Sequence, residues 1–319
     1  MKVKIILFIS FTITLFGCKN DLVINAPYKD IAIIYSFLDQ NEPVQFIRIE
    51  KLYQNNATTN TTEGAQIADS LYFDTLVVKL INIVSRDTFY CYRVDSIPKD
   101  KGFFSSAKNT LYATKIPQNN NADEVYQLHI TNPKDNKTFI SKTSLVKDAA
   151  IDNRKIVINL VTPNHTFAFR FTPGRNAALY DLIVRFQYKE MIKSDTNNFE
   201  IKNVDYFVAK SAAISGSLEK STIVSREYMN YLRGKIVEDN TKVRRSLAII
   251  YQAYGGSAEF ASLLDLSKPN LSVVQKNPEY SNVSNAIGIF SSRNFVELKM
   301  ETDPTNLLLI ESNLPNFHP

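Results

Sequence analysis

Tryptophan is absent from this chain, histidine occurs three times, cysteine twice and glycine nine times in 319 residues. Each scarcity excludes something. Without indole rings there is no broad platform for stacking sugars, so a carbohydrate-binding surface would have to use tyrosine. The histidines are His129, His165 and His318, two in separate predicted strands and one near the C-terminus, which brings no shared zinc site together. Of the cysteines, Cys91 stands alone inside Phe89-Tyr90-Cys91-Tyr92, where a thiol serves as a small core residue, and no disulfide framework follows. His-Glu-x-x-His, Gly-x-Ser-x-Gly, the phosphate-cradling Gly-x-x-x-x-Gly-Lys and paired Cys-x-x-Cys are all missing, so the sequence points to no catalytic, cofactor-binding or metal-ligating residue. Ser-x-x-Lys occurs at Ser105 to Lys108 and at Ser217 to Lys220, both in polar linkers. Acylating serine enzymes need that spacing on a helix, so that lysine sits one turn from the nucleophile. Charge of one sign is lacking too. The 37 basic and 32 acidic side chains are interspersed, which excludes the basic stripe a nucleic-acid partner requires.

The one long apolar run is at the start. Lys2 and Lys4 precede a dozen mostly apolar residues from Ile5 to Phe16, too few for a stable transmembrane helix, and Gly17 and Cys18 follow. Leu15-Phe16-Gly17-Cys18 resembles a bacterial lipobox, which makes 1–17 a signal peptide and Cys18 the lipidated first residue of the mature chain. Acyl chains add about 0.8 kcal/mol per buried CH₂ and hold a protein at a membrane without any spanning helix. Lys19 in place of Asp removes the usual signal for inner-membrane retention and favours the outer membrane, at its periplasmic face or the cell surface. Lys19-Asn20-Asp21 is also similar to the surface-export signal of Bacteroidota lipoproteins.

What is abundant is aromatic and β-branched. Sixteen tyrosines and 20 phenylalanines suit half-buried strands. Residues 18–27 lack periodicity and read as a lipid tether. Strands are predicted at Ile31 to Leu38, Val44 to Leu52, Thr75 to Val84, Asp87 to Asp95, Lys108 to Ile116, Val125 to Thr131 and Thr138 to Val146, separated by turn formers. That spacing predicts an antiparallel Ig-like or transthyretin-like β-sandwich over 28–147. Lys147 to Asn153 is charged and polar, and marks the expected domain boundary. Beyond it, 154–319 predicts an α+β domain with an antiparallel sheet and two short helices. Its strands are Lys155 to Val161, His165 to Phe171, Asp181 to Tyr188, Tyr206 to Ile214, Leu247 to Tyr254, Ile287 to Phe290 and Phe295 to Met300. One helix starts at Ser225 as N-cap; the other follows Gly255-Gly256-Ser257 and stops at Pro269.

A polar loop from Asn277 to Asn285 runs into Ala286-Ile-Gly288-Ile-Phe290-Ser-Ser-Arg293. Asn282, Asn285, Gly288 and Arg293 are the candidate turn or ligand residues, since Asn side chains bond to backbone in such turns. With its Asn-Pro, Ser-Asn and Gly-Ile-Phe succession, and with Gln45-Phe-Ile-Arg-Ile49, Lys101-Gly-Phe103 and Tyr126-Gln-Leu-His-Ile130, the chain resembles a family of uncharacterised Bacteroidota outer-membrane lipoproteins classed as a domain of unknown function. The resemblance implies location and architecture, and transfers no catalytic residue. Some members are regarded as accessories of TonB-dependent transporters, which would make an outer-membrane transporter a partner.

Three triplets, Asp69-Ser-Leu71, Asp74-Thr-Leu76 and Asp95-Ser-Ile97, are similar to the O-glycosylation acceptor of exported Bacteroidota proteins. Two functions are compatible with all of this. The preferred one is a lipid-anchored binding or accessory protein presenting loops such as 54–64 and 118–123. The alternative is an anchored hydrolase of glycans or peptides, whose carboxylate pair would be set by separation in space.

Overall fold

The computed structural model describes residues 31–52, 71–98, 109–118, 123–147, 149–152, 162, 164–267, 280–300 and 304–317, without the side chains of 304–307. The signal peptide, Cys18, the tether, the loop at 54–64, the first Ser-x-x-Lys, His318 and the strand expected at 155–161 lie outside these residues. The protein is mainly β. Alternating apolar residues form β1 (Ala32–Asp39), β2 (Val44–Lys51), β3 (Val77–Asn82), β4 (Thr88–Val94), β5 (Leu111–Lys115), β6 (Val125–Asn132) and β7 (Lys137–Ser144), close to the strands expected. In β6 the alternation is complete: Tyr126, Leu128 and Ile130 are fully buried while their neighbours are half exposed.

The second half contributes β8 (Ala150–Ile151), β9 (Thr166–Thr172), β10 (Leu179–Ile192), β11 (Asp195–Ala213), β12 (Glu219–Val224), β13 (Lys242–Gly256) and β14 (Ala286–Met300). Helices α1 (Ser225–Lys235), α2 (Ala258–Ser267) and α3 (Pro304–Asn313) complete it. Three differences from the sequence reading stand out. Helix α3 makes a third where two were expected; Pro304 at its first position is the start signal. Ser225 is the first helical residue and Val224 occupies the cap, because Ser225 is drawn inward, its amide donating to the His165 carbonyl at 2.9 Å. The two closing strands are one, since the polar Ser291 to Asn294 stretch keeps a ladder partner throughout, on β1 as far as Arg293 and on β13 from Arg293 onward.

Eleven strands hydrogen-bond in the order β11-β10-β13-β14-β1-β2-β5-β4-β3-β6-β7, and β12-β9-β8 forms a separate sheet. All neighbours are antiparallel except β1 and β14, which run parallel from Ala32 beside Ala286 to Asp39 beside Arg293. Strand β14 is divided lengthwise. Ala286 to Arg293 pairs with β1, and Arg293 to Met300 pairs with β13, so the two ladders overlap only at Arg293.

Around the first half of β14, the strands from β1 to β7 curl until β7 returns beside it. Ser284 exchanges two bonds with Ile140, of 2.8 and 2.9 Å, and the Ser141 hydroxyl donates to the Asn282 carbonyl at 2.7 Å. The Ser292 hydroxyl accepts from the Val146 amide at 3.1 Å and donates to the Ser144 carbonyl at 2.5 Å. The enclosed core holds Ile34, Ile47, Leu80, Tyr126, Leu128, Phe139 and Phe290. A second core lies between the β10, β13 and β14 layer and the small sheet, with Phe167, Phe169, Phe171, Phe186 and Tyr251 meeting Tyr228 and Leu232 of α1 and Ile310 of α3. Lys147, part of the polar stretch expected between domains, is buried and ion-paired with buried Glu124, while its amide donates to the Arg175 carbonyl at 3.0 Å. No described helix is long and apolar enough to cross a membrane.

Candidate functional site

Of the four candidate loop residues, three hold backbone in place. The Asn282 carboxamide clamps Phe290, accepting from its amide at 2.9 Å and donating to its carbonyl at 2.7 Å. Asn285 takes a left-handed conformation, φ 56°, that Asn tolerates, and donates to the Thr138 carbonyl at 3.3 Å. Gly288 has φ +129°, and a Cβ there would stand 1.9 Å from the Ile34 carbonyl oxygen on β1. The parallel β1 and β14 ladder therefore requires glycine at this point. These residues fasten the start of β14.

Arg293 belongs to a different place. A cavity of about 640 Å³ opens where the two ladders of β14 meet, bounded by β1, β10, β13, β14 and α2. Register puts its lining on one face of the sheet: Asp181 lies beside Tyr254, Tyr254 beside Phe295, and Arg293 beside Asp39. Tyr254 and Phe295 stand as a ring pair with centroids 4.6 Å apart. Helix α2 roofs the space with Phe260 and Leu264, and Phe260 meets Phe37 edge-on at 5.2 Å. Gly256 permits this, and Gly255 makes room for the Tyr180 ring of the second core. A Cβ on Gly255 would fall 2.7 Å from the Tyr180 ring, and one on Gly256 would fall 2.5 Å from the Phe260 ring. Helix α2 is fastened at its start by a buried hydroxyl seam: Ser257 bonds to Ser291 at 2.8 Å, and both Ser257 and Thr143 donate to the Glu259 carboxylate.

Charge in the cavity is ordered. Buried Asp39 pairs with Arg293 at 3.2 Å through the guanidinium Nε, while its other oxygen accepts from the Asn41 amide at 3.0 Å. The Arg293 side chain is 60% exposed. Asp181 accepts the Ser211 amide at 2.6 Å. Here β10 is bulged on either side of Leu182, and Ser211 has φ 46°, so irregular backbone turns Asp181 and Ser211 onto the cavity rim. Burial pushes the Tyr254 hydroxyl above its ordinary pKa, with Arg185 opposing the shift; Arg185 itself is raised by its bidentate pairing with Asp205 at 2.6 and 2.9 Å.

Sequence reasoning reached Arg293 and missed Phe37, Asp39, Asp181, Tyr254, Phe260 and Phe295. The one available signal was Gly255-Gly256 between a strand and an aromatic-bearing helix. The remaining Ser-x-x-Lys has no helical geometry, because Lys220 lies on β12 opposite Arg170. Among the described residues no group of three His, Cys, Asp or Glu side chains could hold a metal ion. Compared with known families and curated proteins, the chain matches no family model and no curated sequence.

Proposed function

We propose that this chain is a lipid-anchored binding protein of the bacterial outer membrane, tethered through Cys18 and taking its ligand in the cavity between the two ladders of β14. The cavity carries the reading: strands distant in sequence converge there on an aromatic floor with a few placed polar groups, the usual make-up of a small-ligand site. Its Asp39 carboxylate is committed to Arg293 and to the chain turn after β1, a positioning duty rather than a free acid or base. The likeness to Bacteroidota outer-membrane lipoproteins supports the same location, and a TonB-dependent transporter is the proposed partner.

The hydrolase alternative keeps one observation in its favour, that Asp39, Glu42 and Asp181 all line the cavity. Under it Asp181→Asn would abolish hydrolysis of glycans or peptides by the purified protein. Metabolic labelling with an alkynyl fatty acid tests the anchor: the wild type is labelled and sediments with membranes, and Cys18→Ala is unlabelled and released. A Cys18→Ala protein that stays membrane-bound would defeat it. Pull-down from detergent-solubilised outer membrane tests the transporter partner, with recovery of no outer-membrane companion as the defeating result.

A further inference from the structure

Adjacent strands lie about 4.8 Å apart, so Asp181 on β10 and Phe295 on β14, two strands away, are about 10 Å apart at the backbone. Arg293 is two residues further along β14, which puts it about 12 Å from Asp181 on the same face. Between these opposite charges the floor is the Tyr254 and Phe295 ring pair, and the roof is Phe260 with Leu264. Arg293 is held by Asp39 through Nε, so the two terminal nitrogens remain as a two-pronged donor suited to a carboxylate. Asp181 keeps one oxygen on the Ser211 amide and has the other to accept from an ammonium. Glu42 adds negative charge to the lining, so its balance favours a cationic group beyond the one carboxylate that Arg293 can take.

We infer that the cavity binds a short peptide with both ends free, its carboxylate on Arg293, its amino group on Asp181 and an apolar side chain on the aromatic floor. An extended peptide of three residues spans about 10 Å, on the scale of the roughly 12 Å between the Asp181 and Arg293 backbones. Capture of a free chain end is a known mode of peptide recognition, and here side-chain charges would serve it. The inference deepens the binding reading and rests on it.

Calorimetric titration of the detergent-solubilised full-length protein tests it, with alanyl-phenylalanyl-alanine in free, N-acetylated and C-amidated forms, and with maltotriose. The free peptide binds, and each block weakens it at least tenfold. In Arg293→Gln amidation no longer matters while acetylation still does, and in Asp181→Asn the pattern reverses. Blocked peptides that bind as well as the free one would overturn the assignment, as would undiminished sensitivity to amidation in Arg293→Gln. If maltotriose binds instead and Phe260→Ala abolishes that, the ligand class is wrong and the cavity remains a binding site. If neither ligand binds, the peptide inference falls, and pull-down from the membrane then decides the binding reading separately.

Discussion

Gly288 and Cys91 show how a single residue is constrained by what surrounds it. At Gly288 any side chain meets the Ile34 carbonyl, in a backbone conformation that L residues avoid. Gly288→Ala is expected to cost at least about 3 kcal/mol, read as a lowered denaturant midpoint, because strain and the loss of the β1 ladder add together. A midpoint within experimental error of wild type would refute this. Cys91 points inward from β4, and burial pushes its thiol from 9.0 up to about 12, against a smaller opposing hydrogen bond to the Leu80 backbone. Since the folded value lies above the unfolded one, the neutral thiol contributes fully below pH 9 and loses that contribution as pH rises toward 12. Wild type is therefore expected to lose more stability than Cys91→Ala between pH 9 and pH 11, and to alkylate slowly with iodoacetamide at pH 8.

Elements were legible where one face is buried and the other wet. The β6 strand reads directly from Tyr126, Leu128 and Ile130, as β9 does from Phe167, Phe169 and Phe171. Strand β12 and the first half of β11 were not, because Glu219 to Thr222 and Asp195 to Asn203 are largely polar and are held as strand by their neighbours' ladders. Seams between elements were hidden for a related reason. Ser292 looks like a surface residue, yet it is fully buried and ties β7 to β14 through one accepted and one donated bond. Ser292→Ala leaves the Val146 amide and Ser144 carbonyl without that partner, and is expected to cost about 1–3 kcal/mol. Hydrogen exchange should report it as faster exchange at Val146; unchanged protection there would show that the seam is dispensable.

At the scale of the whole molecule, β14 serves two cores at once. Phe290 lies in the core enclosed by β1 to β7, while Val296, Leu298 and Met300 pack on the other. A fragment of residues 28–147 lacks this strand and exposes the β1 edge, Phe139 and Leu145. It is expected to show no cooperative thermal transition, whereas adding a peptide of residues 280–300 should restore one. A sharp transition in the fragment alone would show that the first core is sufficient without β14.

The amino-acid order by itself determined the mainly β character, most strand positions and the two helices that follow Val224 and Gly256, and it carries the expectation of a membrane address at Cys18. These rest on local quantities: alternation, turn chemistry and a short apolar run. The sharing of β14, the burial of Lys147 and the joining of Phe37, Asp39, Asp181, Tyr254 and Arg293 around one cavity were decided by tertiary structure. Each depends on which strands lie side by side, and a parallel pairing between residues more than 250 positions apart leaves no periodic trace in either segment.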